Sequence, residues 1–118
     1  MNWSAIGAVM LALAVALGAF GAHGLRGKLD AYSMSVYEKA VFYHFIHALG
    51  LLFIQHLSRS KSADLACWLL MAGILLFSGS LYLLAVTGVR TLGMITPLGG
   101  ASFIAAWLLL SIELFRRP

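Results

Sequence analysis

The chain has 118 residues, of which 62% are hydrophobic and only 10% charged, with a formal net charge of +4. A single soluble domain of that length has too little interior to hide so much apolar surface, and the few scattered cations do not make a nucleic-acid surface. The apolar residues come in long runs with the charges at or beyond their ends, which is the pattern of membrane spans flanked by lipid headgroups.

Met1 to Ala22 carries no charged side chain, and a helix of about 20 residues crosses the hydrocarbon core, so the first span is expected over 3–22. The basic n-region of a cleaved signal peptide is missing, and the segment is taken as retained. Ala8, Ala12 and Ala16 recur every four residues, and so do Ala14, Gly18 and Ala22. Small residues at that spacing let a second helix approach closely, although alanine is also simply a good helix former.

His23 to Lys39 is the longest polar stretch, with Arg26, Lys28, Asp30, Glu38 and Lys39. Leu25, Leu29, Tyr32 and Val36 fall at helical spacing, so part of it is expected to lie along the membrane surface. Ser35-Val36-Tyr37-Glu38 has the form of a capping box, in which serine accepts the glutamate N–H and glutamate reaches back. It places the second span at about 36–57. The third is expected over 65–88, with Phe77-Ser78-Gly79-Ser80-Leu81-Tyr82 in its middle, and the fourth over 92–113. Thr96-Pro97 reads in two ways: Pro97 kinks a helix already begun, or Thr96 caps a helix whose first residue is Pro97.

The fold class that follows is all-α. It is an integral membrane four-helix bundle, up-down-up-down, with both termini on the same side. Call that side A and the opposite side B. The topology brings His23, His44, His47, Tyr82 and Thr96-Pro97 to the side-B half, while Trp3, Trp68 and Trp107 fall in the side-A half, where indoles sit at headgroups. Four basic residues flank each side, so the positive-inside count is tied; only the flanks of the first span favour side B in the cytoplasm.

Four stretches resemble motifs of the membrane family known as domain of unknown function 423, which includes transmembrane protein 256 and YgdD-type bacterial proteins. They are Gly18-Ala19-Phe20-Gly21-Ala22-His23-Gly24-Leu25, Tyr43 with His47-Ala48-Leu49, Phe77 to Tyr82, and Gly93-Met94-Ile95-Thr96-Pro97-Leu98-Gly99-Gly100. The resemblance implies a small integral membrane protein, in bacteria one of the inner (cell) membrane, with no established activity. It departs at His44, where many relatives carry glutamine, which counts against any mechanism that needs both span-two histidines.

The candidate polar pocket is therefore His23, His44, His47, Ser78, Tyr82, Thr96 and Pro97. Gly18, Gly79, Gly99 and Gly100 join Ala8, Ala12 and Ala16 as candidate packing positions. Polar side chains between spans commonly act as interhelical glue worth roughly 0.6–2 kcal/mol each; His47 is expected to bond the Tyr82 hydroxyl or a carbonyl freed by Pro97. The alternatives are a small-ligand pocket, proton or small-solute passage, a redox subunit binding haem, metal or quinone, with His23 and the span-two histidines as the haem or metal ligands, and an assembly subunit or homo-oligomer. No cofactor is expected, and no catalytic or metal-ligating set can be named. The expected partner is the lipid bilayer, not nucleic acid.

Overall fold

A computed structural model describes residues 1–117. The first helix, α1, is Trp3–His23, capped by the Asn2 side chain on the Ala5 N–H. The second, α2, is Ala31–Leu57. The third span, Lys61–Thr87, is continuous but irregular: α3 (Lys61–Gly73) passes through one π turn at Ile74–Ser78 into α4 (Gly79–Thr87). Gly88, in the left-handed region at φ 72°, ends it. A 3-10 turn at Arg90–Met94 leads into α5, Thr96–Arg116. These four spans are each long and apolar enough to cross a membrane. The chain is an all-α integral membrane bundle, up-down-up-down, with both ends on side A.

Two helix starts differ from the sequence reading. The cap of α2 is Asp30, whose Oδ1 accepts the Ser33 N–H at 2.7 Å. Ser35 and Glu38 lie exposed inside the helix and form no capping box. Asp30 wins because an ionised acceptor suits the positive end of a helix dipole and nothing between 31 and 35 breaks a helix. The polar stretch is thus mostly the first turns of α2, not a separate surface segment. Likewise Ser60 caps α3 through the Ala63 N–H, four residues ahead of the expected start.

The helices are not arranged as a square. α1 packs chiefly on α2, α3 packs on α5, and α2 also meets α3, the π turn and α4. The Cα cross-section is accordingly flat, 26 × 19 Å. Gly7 lets α1 touch the α2 backbone, since a Cβ there would come within 2.6 Å of the Leu52 nitrogen. The stripe that α1 buries is Trp3, Gly7, Met10, Ala14 and Gly21, all on one helical face. Ala8, Ala12 and Ala16 lie on the opposite, exposed face. The sequence could not tell the two faces apart because both are apolar.

The apolar core has two parts. One joins Trp3, Met10, Ala48, Leu51, Ile54, Leu70, Ile74, Phe103 and Leu110 toward side A. The other joins Leu25, Val36, Tyr37, Leu84 and Ala85 on side B. The stretch of α2 between them, 40–47, carries the polar side-chain contacts.

Candidate functional site

The layer between the two cores is built from three interhelical hydrogen bonds. The Ser78 hydroxyl, fully buried, donates to the Ala40 carbonyl at 2.8 Å. Tyr82 Oη lies 2.9 Å from His44 Nδ1. Ser78 and Tyr82 are four residues apart and so share the face of the third span that meets α2. Ser80 points the other way and meets Thr96 of α5, oxygen to oxygen at 2.6 Å, while also donating to the Phe77 carbonyl. Thr96 is thus engaged across the helix interface and does not cap α5; Pro97 sits exposed in the first turn, as proline prefers, and kinks nothing.

The π turn sets this arrangement. Five residues in place of four close one hydrogen-bonded ring, the Gly79 N–H reaching the Ile74 carbonyl. The extra residue turns α4 relative to α3, so Ser78 and Tyr82 face α2 while Ser80 faces α5. Gly99 of α5 packs directly against the Phe77 backbone of that turn, where a Cβ would overlap it. Gly79, in contrast, has nothing closer than 3.9 Å to a Cβ, Gly100 only the Phe77 ring at 3.8 Å, and Gly18 the Val41 side chain at 3.4 Å. Of the four glycines singled out in the sequence, only Gly99 is required by close approach.

The two α2 histidines do different things. His44 is 1% exposed; among the described residues its Nε2 has no hydrogen-bond partner, with the Met10 backbone nearby but not at bonding geometry. His47 Nδ1–H donates to the Tyr43 carbonyl one turn back at 2.7 Å. Its ring stacks on Phe103 at 3.5 Å between centroids, with Trp107 at 5.8 Å. His47 therefore bonds neither Tyr82 nor the end of α5; His44 takes Tyr82 instead. The reason is angular: three residues separate the histidines, so their rings point about 60° apart, one to α4 and one to α5.

Their depth also differs from expectation. Gly7 abuts Ala48 and Leu52, and Gly21 abuts Tyr37, so the antiparallel register puts His44 beside the middle of α1. It lies at the middle of the bundle, level with the centre of α1, and not in the bundle's side-B half. His23 is exposed at the end of α1 and contributes nothing to the layer. By the same register it sits about 14 Å toward side B from His44, so the facing pair that a haem would need is not formed.

The four principal clefts of the described residues lie away from this layer. One groove on α5 is lined by Trp107, Leu110, Ser111, Leu114 and Phe115. Another, on side B, is lined by Gly18, Gly21, Tyr37 and Glu38 among others. Two lie at the side-A connector between α2 and α3.

The side-A end holds a polar knot that the sequence did not announce. Trp3 is 1% exposed, and its indole N–H donates to Asp64 Oδ1 at 2.6 Å. It is a buried tie between α1 and α3, not an indole turned outward to the headgroups. Gln55 accepts the Trp3 backbone N–H and donates to the Met1 carbonyl, and Ser58 donates to Glu113 at 3.2 Å. Only the residue types, an Asp and a Glu just past apolar runs, hinted at it.

Fold and site together define a small polytopic membrane protein whose few intramembrane polar groups join its helices. The chain belongs to the family described as protein of unknown function DUF423, whose profile matches residues 17–100. It is 52% identical over 113 residues to the UPF0382 membrane protein SH2409 of Staphylococcus haemolyticus, covering 94% of this chain and 93% of the relative. It is 50% identical over 111 residues to the UPF0382 membrane protein YwdK of Bacillus subtilis, covering 91% and 90%. Four membrane-spanning helices and relatives of this kind place it in a bacterial cell membrane. No solved structure matches the chain.

Proposed function

We propose that the polar residues between the spans are a packing layer that locks α2, the π-turned third span and α5 in register, and that the chain works as a non-catalytic membrane unit built around it. The observation that carries this reading is that the hydroxyls of Ser78, Tyr82, Ser80 and Thr96 are each within bonding distance of a partner inside the chain. None of the four principal clefts is lined by them. No cofactor enters this reading. The test is Ser78→Ala in detergent, which lowers the thermal midpoint and leaves the co-purifying small molecules unchanged. A haem, quinone or other compound present with the wild type and lost from the variant refutes it.

One observation favours a second reading, passage of a proton. His44 Nε2 is buried without a partner, on the far side of a ring whose Nδ1 meets Tyr82. Such a ring can take a proton at one nitrogen and release it at the other. Proteoliposome proton flux that is unchanged by His44→Ala ends that reading. A second copy or a membrane-complex subunit would dock on the outward face of α1, along Ala8, Ala12 and Ala16; cross-linking in mild detergent tests it.

A further inference from the structure

The connector between α2 and α3 joins two clefts of about 420 and 440 Å³ that share Met1, Gln55 and Arg59. Arg59 and Lys61 are both exposed there. Arg117, from the end of α5, donates to the Leu57 carbonyl and so brings a third cation to the same few residues. Two carboxylates approach the connector, but each holds a neutral donor: Asp64 takes the Trp3 indole, and Glu113 takes the Ser58 hydroxyl. Of the two, Asp64 lines one of these clefts.

The connector is also tied by hydrogen bonds to both helices. The Ser58 N–H closes the end of α2 on the Ile54 carbonyl, its hydroxyl meets Ser60 and Glu113, and Ser60 caps α3. Arg59 is therefore presented between two fixed residues. Beside it starts a 13-residue helix whose Lys61 and Ser62 N–H groups have no acceptor within the helical pattern, and such groups favour an anion. Phe53, Leu57 and Leu65 are exposed at the same end of the bundle, where acyl chains would lie. On side B, the cleft between α1 and α2 is lined by Glu38 and by no cation, and Arg90 lies over the Tyr32 ring.

We infer that this connector binds the phosphate of an anionic phospholipid headgroup, with Arg59 and Lys61 as the principal contacts and the chains lying along Phe53, Leu57 and Leu65. The same phosphate chemistry would admit free inorganic phosphate, so the test separates the two. Protein in neutral detergent is titrated by native mass spectrometry with dioleoyl phosphatidylglycerol, with the zwitterionic dioleoyl phosphatidylcholine, and with phosphatidylglycerol in the presence of inorganic phosphate. The expected result is preferential binding of phosphatidylglycerol that millimolar phosphate does not displace.

The double variant Arg59→Gln/Lys61→Gln should weaken that binding by at least about tenfold, on the scale of about fivefold per basic residue. Arg26→Gln/Lys28→Gln, which removes the same charge on side B, should leave it within about twofold on the same scale. Equal loss in both double variants means that net charge alone attracts the lipid and overturns the site. So does equal affinity for the two lipids, and displacement by phosphate assigns the cleft to the free ion. In the wild-type protein a photoactivatable phosphatidylglycerol should label the segment 53–65; labelling elsewhere overturns the inference without any substitution.

Discussion

Tyr82 and His44 meet across the interface of α4 and α2, Oη to Nδ1 at 2.9 Å, and the same imidazole leaves its Nε2 unpaired on the side of α1. Removing the hydroxyl would leave both nitrogens of a buried ring without a partner, which costs more than the bond itself contributes. Tyr82→Phe is expected to lower stability by about 1–2 kcal/mol in reversible unfolding from mixed micelles. His44→Leu in that background should recover part of the loss, because an apolar pair leaves nothing unsatisfied. The double-mutant cycle should give a coupling of roughly 0.6–1.7 kcal/mol; a coupling indistinguishable from zero would show that the bond does not form in the membrane.

Gly99 and Gly100 are neighbours in sequence and opposites in consequence. A Cβ on Gly99 would overlap the backbone of Phe77 in the π turn, and backbone cannot move aside as a flexible side chain can. Gly99→Ala should therefore separate α5 from the third span and cost roughly 3 kcal/mol. Gly100→Ala meets only the Phe77 ring at 3.8 Å and should be neutral or slightly stabilising, given the higher helix propensity of alanine. Thermal midpoints of the two variants, measured in one detergent, decide this.

The spans and their order were legible because twenty apolar residues in a row have one physical use. The faces of those spans were not. In a soluble helix the apolar stripe marks the buried side, but in α1 the buried Met10 and Ala14 and the exposed Val9 and Ala12 are equally apolar. So Ala8, Ala12 and Ala16 looked like a contact, while Gly7 and Gly21 made it. The site was legible in part: Ser78 and Tyr82 share a face as their spacing requires, and the polar groups of three spans do meet. The π turn left no signal in residue type, and His44 and His47 could be assigned partners only once the helix register was known. Helix starts were read late because Asp30 and Ser60 lie in segments too polar to count toward a span, although both are good caps.

Trp3 ties the start of α1 to Asp64 at the start of α3 through a charge-assisted bond of 2.6 Å. It also packs edge-on against Trp68 at 4.9 Å. Trp3→Phe keeps most of the packing and loses the N–H, so the expected loss is about 1 kcal/mol, held down by the exposure of Asp64. Asp64→Asn keeps an acceptor and should cost less. The readout is cysteine-specific: Cys67 is buried beneath this corner, and Trp3→Phe should speed its labelling by a maleimide, whereas an unchanged rate would mean that the corner stays closed without the bond.

Asp30 gives the fold one acid-sensitive point outside the spans. The backbone N–H of Ser33, then its hydroxyl, and further off the charge of Arg90 hold the Asp30 carboxyl below its ordinary value of 3.8. A carboxyl depressed on folding stabilises the folded state above that ordinary value, and the contribution is lost as pH falls through the lower folded value. The cap should therefore stay intact at neutral and mildly acidic pH and open only below about pH 3.8. The Ser33 amide proton in detergent-solubilised protein should report it, moving upfield with a midpoint below that value as the N–H loses its charged acceptor. Asp30→Asn should abolish the titration while leaving the first turn of α2 formed, since asparagine caps nearly as well. A midpoint at or above the ordinary carboxyl value would mean that the Ser33 bond does not favour the charged form.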